Sequence, residues 1–207
     1  MVQRLAFKLF LYVGCLTLLE GNCWSCKRRA YSIKKFFSTT EPIWTYTTSG
    51  RTNIRCLVDQ VNVMEQSSVI FTRSCYNQGI KLSRIFLGTF KKDRKKHMDV
   101  KPQGKGIHFQ EDLLYMSDDE SCAVIVVTTK FCAKHLTYDL RVRNSHIKHP
   151  PHPKCVEEYR RYERHGKILY DSSCQNILAR KGESGLYEPQ QDRCGNRTHS
   201  SSFSRPP

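Results

Sequence analysis

The chain has 207 residues, 39% of them hydrophobic, and its 34 lysines and arginines against 19 aspartates and glutamates give a formal net charge of +15. That length fits one domain with a real core. After the N-terminal segment no stretch is apolar for the roughly 20 residues that a bilayer-spanning helix needs, so membrane insertion is not expected.

The first element is a leader. Arg4 and Lys8 precede an apolar run from Leu9 to Leu19, and small residues follow at Gly21–Cys23. This pattern predicts a secretory signal peptide over 1–22, too short to serve as a membrane anchor. With it go Arg4, Lys8 and Glu20, a net +1, which leaves about +14 on the secreted part. Secretion implies an oxidising compartment for the remaining cysteines and makes nucleic acid an unexpected partner.

Next comes "AYSIKKFFST", with Ile33, Phe36 and Phe37 at helical spacing. Eight runs follow that read as strands: "IWTYTT", "IRCLVDQVNV", "SSVIFTRSCY", "IKLSRIFLGTF", "GIHFQ", "DLLYMS", "CAVIVVTT" and "LTYDLRVR". They are rich in Val, Ile, Thr, Tyr and Phe and are separated by polar breaks. Such spacing predicts a mainly β fold, a sandwich or an up-and-down barrel. Between two of these runs lies "FKKDRKKH". Its Lys91, Lys92, Arg94, Lys95 and Lys96 form either a solvated loop or a patch for a heparin-like glycan.

The stretch "NSHIKHPPHPKC" spaces His146, His149, His152 and Cys155 at every third position. That spacing suits a metal, but three prolines make a stiff joint and a poor place for converging imidazoles. No metal is expected there. "PKCVEEYRRYERHG" then predicts a helix that starts at Pro153, carries Glu157 and Glu158 early and stops at Gly166. Cys155, Tyr159 and Tyr162 give it one face to lay on the strands. From about Gly182 the composition turns to Gly, Ser, Gln, Pro and Arg, which predicts a disordered tail over 182–207. That tail exposes the glycosylation sequon at Asn196. The domain itself is expected over 23–181. No Gly-x-Ser-x-Gly, His-Glu-x-x-His or phosphate loop is present, so an enzyme is not expected and no cofactor is implied.

Five motifs occur in order: "EPIWTY", "LLYMSDDESCAVIVV", "YDLRVRNS", "PHPKC" and "CQNIL". Together they resemble the tick salivary lipocalins of the histamine-binding family, over roughly residues 30–178. The resemblance implies an eight-stranded antiparallel barrel with an N-terminal helix and a C-terminal helix packed outside. It implies disulfides Cys56–Cys174 and Cys122–Cys155, so that Cys155 is a bridge partner. It implies a secreted, extracellular, non-enzymatic protein that sequesters a small host mediator to suppress defence.

For a cationic amine the resemblance points to Glu41 and Trp44 in "EPIW", to Glu111, and to Asp139. Two positions depart from the family's amine pattern: Ala123 stands where an acid is found and Arg141 where an aromatic is found. An inward Arg141 would neutralise Asp139 and repel an ammonium, or hold a carboxylate by two hydrogen bonds. Strand alternation alone instead favours Asp139, Arg141 and Arg143 on a wet outer face, with Tyr138, Leu140 and Val142 inside. Trp44 is equally readable as a core residue at the barrel floor. The expectation is a biogenic amine (histamine or serotonin) narrowly ahead of an anionic lipid (a leukotriene or fatty acid), with a protein- or glycan-binding module as the third reading.

Overall fold

The computed structural model describes residues 31–131, 133–179 and 185–186. The leader, Cys23, Cys26, Cys132, Cys194 and the Asn196 sequon lie outside the described residues.

Eight strands make the wall: β1 Ile43–Thr48, β2 Ile54–Met64, β3 Ser68–Asn77, β4 Ile80–Phe90, β5 His97–Pro102, β6 Phe109–Met116, β7 Cys122–Phe131 and β8 Ala133–Arg143. Each pairs antiparallel with the next, and β1 pairs with β8, so the sheet closes into a lipocalin-like, up-and-down barrel. Closure leaves these strands without free edges. Two short strands are added, β9 (Lys167–Ile168) on β1 and β10 (Gly185–Leu186) parallel to β4. β10 meets Leu82 and Ser83, below the reach of β5, which pairs only with Phe86–Phe90. Those two residues of the expected tail are therefore paired.

The number of strands matches the sequence reading, but their identities differ. "GIHFQ" and "DLLYMS" belong to one strand, β6, and "HMDVKP" is a strand that the reading passed over. β5 is hard to see because it holds one β-branched residue among His, Asp, Lys and Pro. Gly106 cannot start a strand, since its φ of +151° lies in a region that only glycine readily adopts.

Alternation along the strands produces two apolar layers. The lumen holds Ile43, Val69, Phe71, Phe86, Met98, Val100, Phe109, Leu113 and Ile125. The outer layer holds Trp44, Val58, Val124, Leu140 and Val142, and lies under helix α2, Pro153–Arg160. Packing near the lumen floor is tight: a Cβ on Gly88 would come within 2.5 Å of Met98 Sδ.

Helix α1 (Ile33–Phe37) stoppers one end of the barrel. Its Ile33, Phe36 and Phe37 are fully buried with the lumen residues. Ile33 N donates to Lys95 O of the β4–β5 loop, and Lys34 Nζ to Gln66 O of the β2–β3 turn. Arg143 donates to Phe36 O at 2.9 Å. The opposite end is built from the β1–β2, β3–β4 and β5–β6 connections.

Both implied disulfides are present. Cys56–Cys174 fastens β2 to the segment leading into α3 (Asn176–Ala179), and Cys122–Cys155 fastens β7 to α2. Cys56 sits at a bulge in β2 with φ +57°. α2 starts where expected, with Pro153 in its first turn and His152 capping Lys154 N. It ends at Arg160, earlier than expected, and Tyr162 lies beyond it, stacked on Tyr138 with ring centroids 5.2 Å apart. Gly166 is thus no helix stop. A Cβ there would lie 2.1 Å from the Tyr159 hydroxyl, so glycine lets the chain cross Tyr159 closely.

Candidate functional site

The lumen wall carries charges on five strands. Asp59 comes from β2, Arg73 from β3, Arg84 from β4, Glu111 from β6, and Asp139 and Arg141 from β8. All six are buried, with Glu111 and Arg141 at 0% exposure. No water-sized space touches these two.

Five of the six form one hydrogen-bonded cluster. Arg141 Nη1 and Nη2 donate to the two oxygens of Glu111 at 2.9 and 2.8 Å. The same guanidinium reaches Asp139 at 3.2 Å and Asp59 at 3.3 Å. Arg73 donates twice to Asp59, at 2.6 and 2.7 Å, and once to Glu111 at 2.9 Å. Thr48 Oγ1 donates to Asp139 at 2.7 Å. Charge-assisted, forked bonds of this kind are the strong class of hydrogen bond. Arg84 is the direct cross-strand partner of Arg73 in the β3–β4 ladder and brings a third guanidinium to the lumen.

Arg73 is also boxed by rings. Its Cζ lies 5.4, 5.6 and 5.5 Å from the centroids of Phe71, Phe86 and Phe109. Carboxylates on one side and aromatic faces on the other are what recognise an organic cation. Here the cation belongs to the chain.

The electrostatics follow from burial. Removal from water would push the Glu111 carboxyl up, but Arg141 and Arg73 beside it outweigh that and hold it at about 2. For Asp139 burial wins over the pull of Arg141, and its carboxyl sits above the usual aspartate value. Asp139 therefore takes a proton more readily than Glu111.

Of the residues expected at a ligand, the structure brings together Glu111, Asp139 and Arg141. It does not bring Glu41 or Trp44 to them. Glu41 sits before β1 and accepts a hydrogen bond from Ser145 N at 2.7 Å. Trp44 lies in the outer layer, edge-on to Tyr170, and its Nε1 donates to Asn144 Oδ1 at 2.9 Å. Its neighbour Ile43 is the one that faces inward. Ala123 is buried in the lumen layer directly across from Arg141.

Alternation alone placed Arg141 outside because Leu140 and Val142 look like the buried pair. They are buried, but under α2. With a helix on its outside, this part of β8 is buried on both faces, and alternation cannot tell lumen from outer layer. Asp59 and Arg73 went unnoticed as site residues. Their signal was a single charge inside each apolar run, "LVDQV" and "FTRSC".

Of the histidines, His146 Nδ1 pairs with the Ser145 hydroxyl at 2.9 Å and His152 caps α2. In the basic run, Lys91 is paired with Asp99 at 2.8 Å and Arg94 with Asp112 at 3.8 Å. Comparison with known protein families and with curated proteins finds no match to this chain.

Proposed function

We propose that this chain is a secreted lipocalin of the tick salivary kind, which sequesters a small mediator with an anionic head group and an apolar tail, such as a leukotriene or another fatty acid. The observation that carries the reading is Arg141. Its guanidinium already binds Glu111 and Asp139, the two lumen carboxylates that an amine would need. An incoming ammonium has to displace it. With Glu41 and Trp44 outside the lumen, the amine reading loses its other two expected contacts.

An acidic head group fits the same cluster differently. Asp139 holds Arg141 through one 3.2 Å bond, and its carboxyl is already raised by burial. A ligand carboxylate replaces it at Arg141 while Asp139 takes up a proton. Arg73 and Arg84 flank that position, Phe71, Phe86 and Phe109 supply apolar wall, and the net positive charge of the chain steers anions toward it. Both disulfides are of the sort that persists in oxidising compartments, which supports secretion.

One observation favours the amine reading instead. The box around Arg73 shows that this wall holds a planar organic cation, and a serotonin or histamine could take its place. Calorimetry separates the two. The expected result is saturable binding of a leukotriene, with proton uptake, weakened at least tenfold in Arg141→Lys and Arg84→Gln. Saturable heat with histamine or serotonin and none with the leukotriene returns the amine reading.

A further inference from the structure

A second group of charges lies on the outer wall, facing away from the lumen. On β7 and β8, Lys130 and Lys134 are direct cross-strand partners. The register is unbroken along this ladder, so both share the outward parity of Val124 and Leu140, and both are exposed. Like charges directly opposite each other in a ladder are destabilising. Among the described residues neither lysine has an ion-pair partner.

Beside them lies a groove of about 760 Å³ lined by Thr89, Asp99, Lys101, His108, Gln110, Thr128 and Lys130, among others. Lys101 of β5 is exposed, faces away from the lumen side of Met98 and Val100, and likewise has no ion-pair partner among the described residues. The one carboxylate in the groove, Asp99, is already engaged by Lys91, Gln110 and His97. Lys91 holds its carboxyl down at about 2. The groove's cations are left for something else.

We infer that this face binds a sulfated glycan. Lys101, Lys130 and Lys134 sit on β5, β7 and β8, three strand spacings from first to last, or roughly 14 Å. A row of that length matches a chain with repeated sulfates better than a single phosphate. Thr89, Gln110 and Thr128 between the lysines offer hydroxyl and amide groups to sugar hydroxyls. A sulfate seated between Lys130 and Lys134 turns their repulsion into attraction. The Lys91–Lys96 run, at the stoppered end, is a weaker candidate: Asp93 lies within it, and Asp99 and Asp112 tie down Lys91 and Arg94.

The experiment is a titration of the full chain with a size-defined heparin oligosaccharide at several salt concentrations. The Lys130→Ser/Lys134→Ser variant is expected to bind at least tenfold more weakly and with a flatter salt dependence. Lys101→Ser should weaken binding less. Lys92→Ser/Lys95→Ser/Lys96→Ser should stay within about twofold of the parent chain. Far-ultraviolet circular dichroism checks that each variant is folded. In the absence of glycan, Lys134→Gln should raise Tm by relieving the like-charge pair. Unchanged affinity in the Lys130/Lys134 variant overturns the inference, as does loss confined to the Lys92/Lys95/Lys96 variant. Binding to phosphatidylserine vesicles without binding to the oligosaccharide overturns it in favour of a membrane surface.

Discussion

Arg141 and Glu111 face each other across the barrel lumen as a forked pair, two bonds of 2.9 and 2.8 Å between groups fully removed from water. Neither is tolerable there alone. Removing one partner of such a buried pair leaves an uncompensated charge and typically costs about 3–5 kcal/mol. Arg141→Met is expected to lower the unfolding free energy by that amount in urea titrations. Adding Glu111→Leu and Asp139→Asn in the same chain should recover most of it. A single variant as stable as the parent would show that the cluster relaxes without its centre.

Acid should loosen the fold in a defined window. Glu111 is held at about 2 against burial by Arg141 and Arg73. Its folded value is depressed, so its contribution is full above the unfolded value near 4.5 and is lost as pH falls toward 2. Asp99, held down chiefly by Lys91, and Asp119, held down against burial by Ser117 and Ser121, act in the same direction at about 2. Asp139 acts oppositely: its raised value means that protonation favours the folded state until its unfolded value near 3.8 is passed. Stability followed by circular dichroism should therefore hold through mild acid and fall between about pH 4.5 and 2.

The two disulfides should contribute unequally. Cys56–Cys174 spans 118 residues of sequence and Cys122–Cys155 spans 33. Loop-closure entropy makes the longer bridge worth about 1 kcal/mol more. Urea unfolding of Cys56→Ala/Cys174→Ala and Cys122→Ala/Cys155→Ala checks the order. The free thiol of Cys75 is fully buried and pushed up by burial to about 12. In the native chain it should resist iodoacetamide, as read by peptide mapping.

Trp44 separates stability from binding. Trp44→Phe removes the bond to Asn144 and part of the contact with Tyr170. A loss of about 1–2 kcal/mol is expected from the hydrogen bond and the lost volume, with leukotriene affinity unchanged within twofold. A large fall in affinity at intact stability would place the indole at the ligand after all.

Much of the wall was legible in the sequence. β1 and β4 begin and end where the alternating runs do, because their flanks carry clear turn residues such as Ser49–Gly50 and Gln78–Gly79. β5 was not legible, since its inward Met98 and Val100 are separated by an aspartate and preceded by a buried histidine. In the site, Glu111, Asp139 and Arg141 could be nominated from the family resemblance. Which way Asp139 and Arg141 point could not be read from their own strand, because β8 is buried on both faces over that stretch. Only the position of α2 decides it. Asp59 and Arg73 were visible as lone charges in apolar runs, but they pair because they stand directly opposite each other on β2 and β3, in a register that two bulges in β2 shift and that alternation along either run does not encode.

The α1 stopper makes the barrel a blind tube. Because Ile33, Phe36 and Phe37 close one end, every molecule that reaches the guanidinium layer must leave by the route it used to arrive, past the connections at 49–53, 78–79 and 103–108. Traffic in such a vessel is last in, first out. On the proposed reading, a guest seated near Arg84 would bar the way to one that had displaced Asp139 at Arg141, so the release rate of the deeper guest would be governed by the shallower one and by those connections.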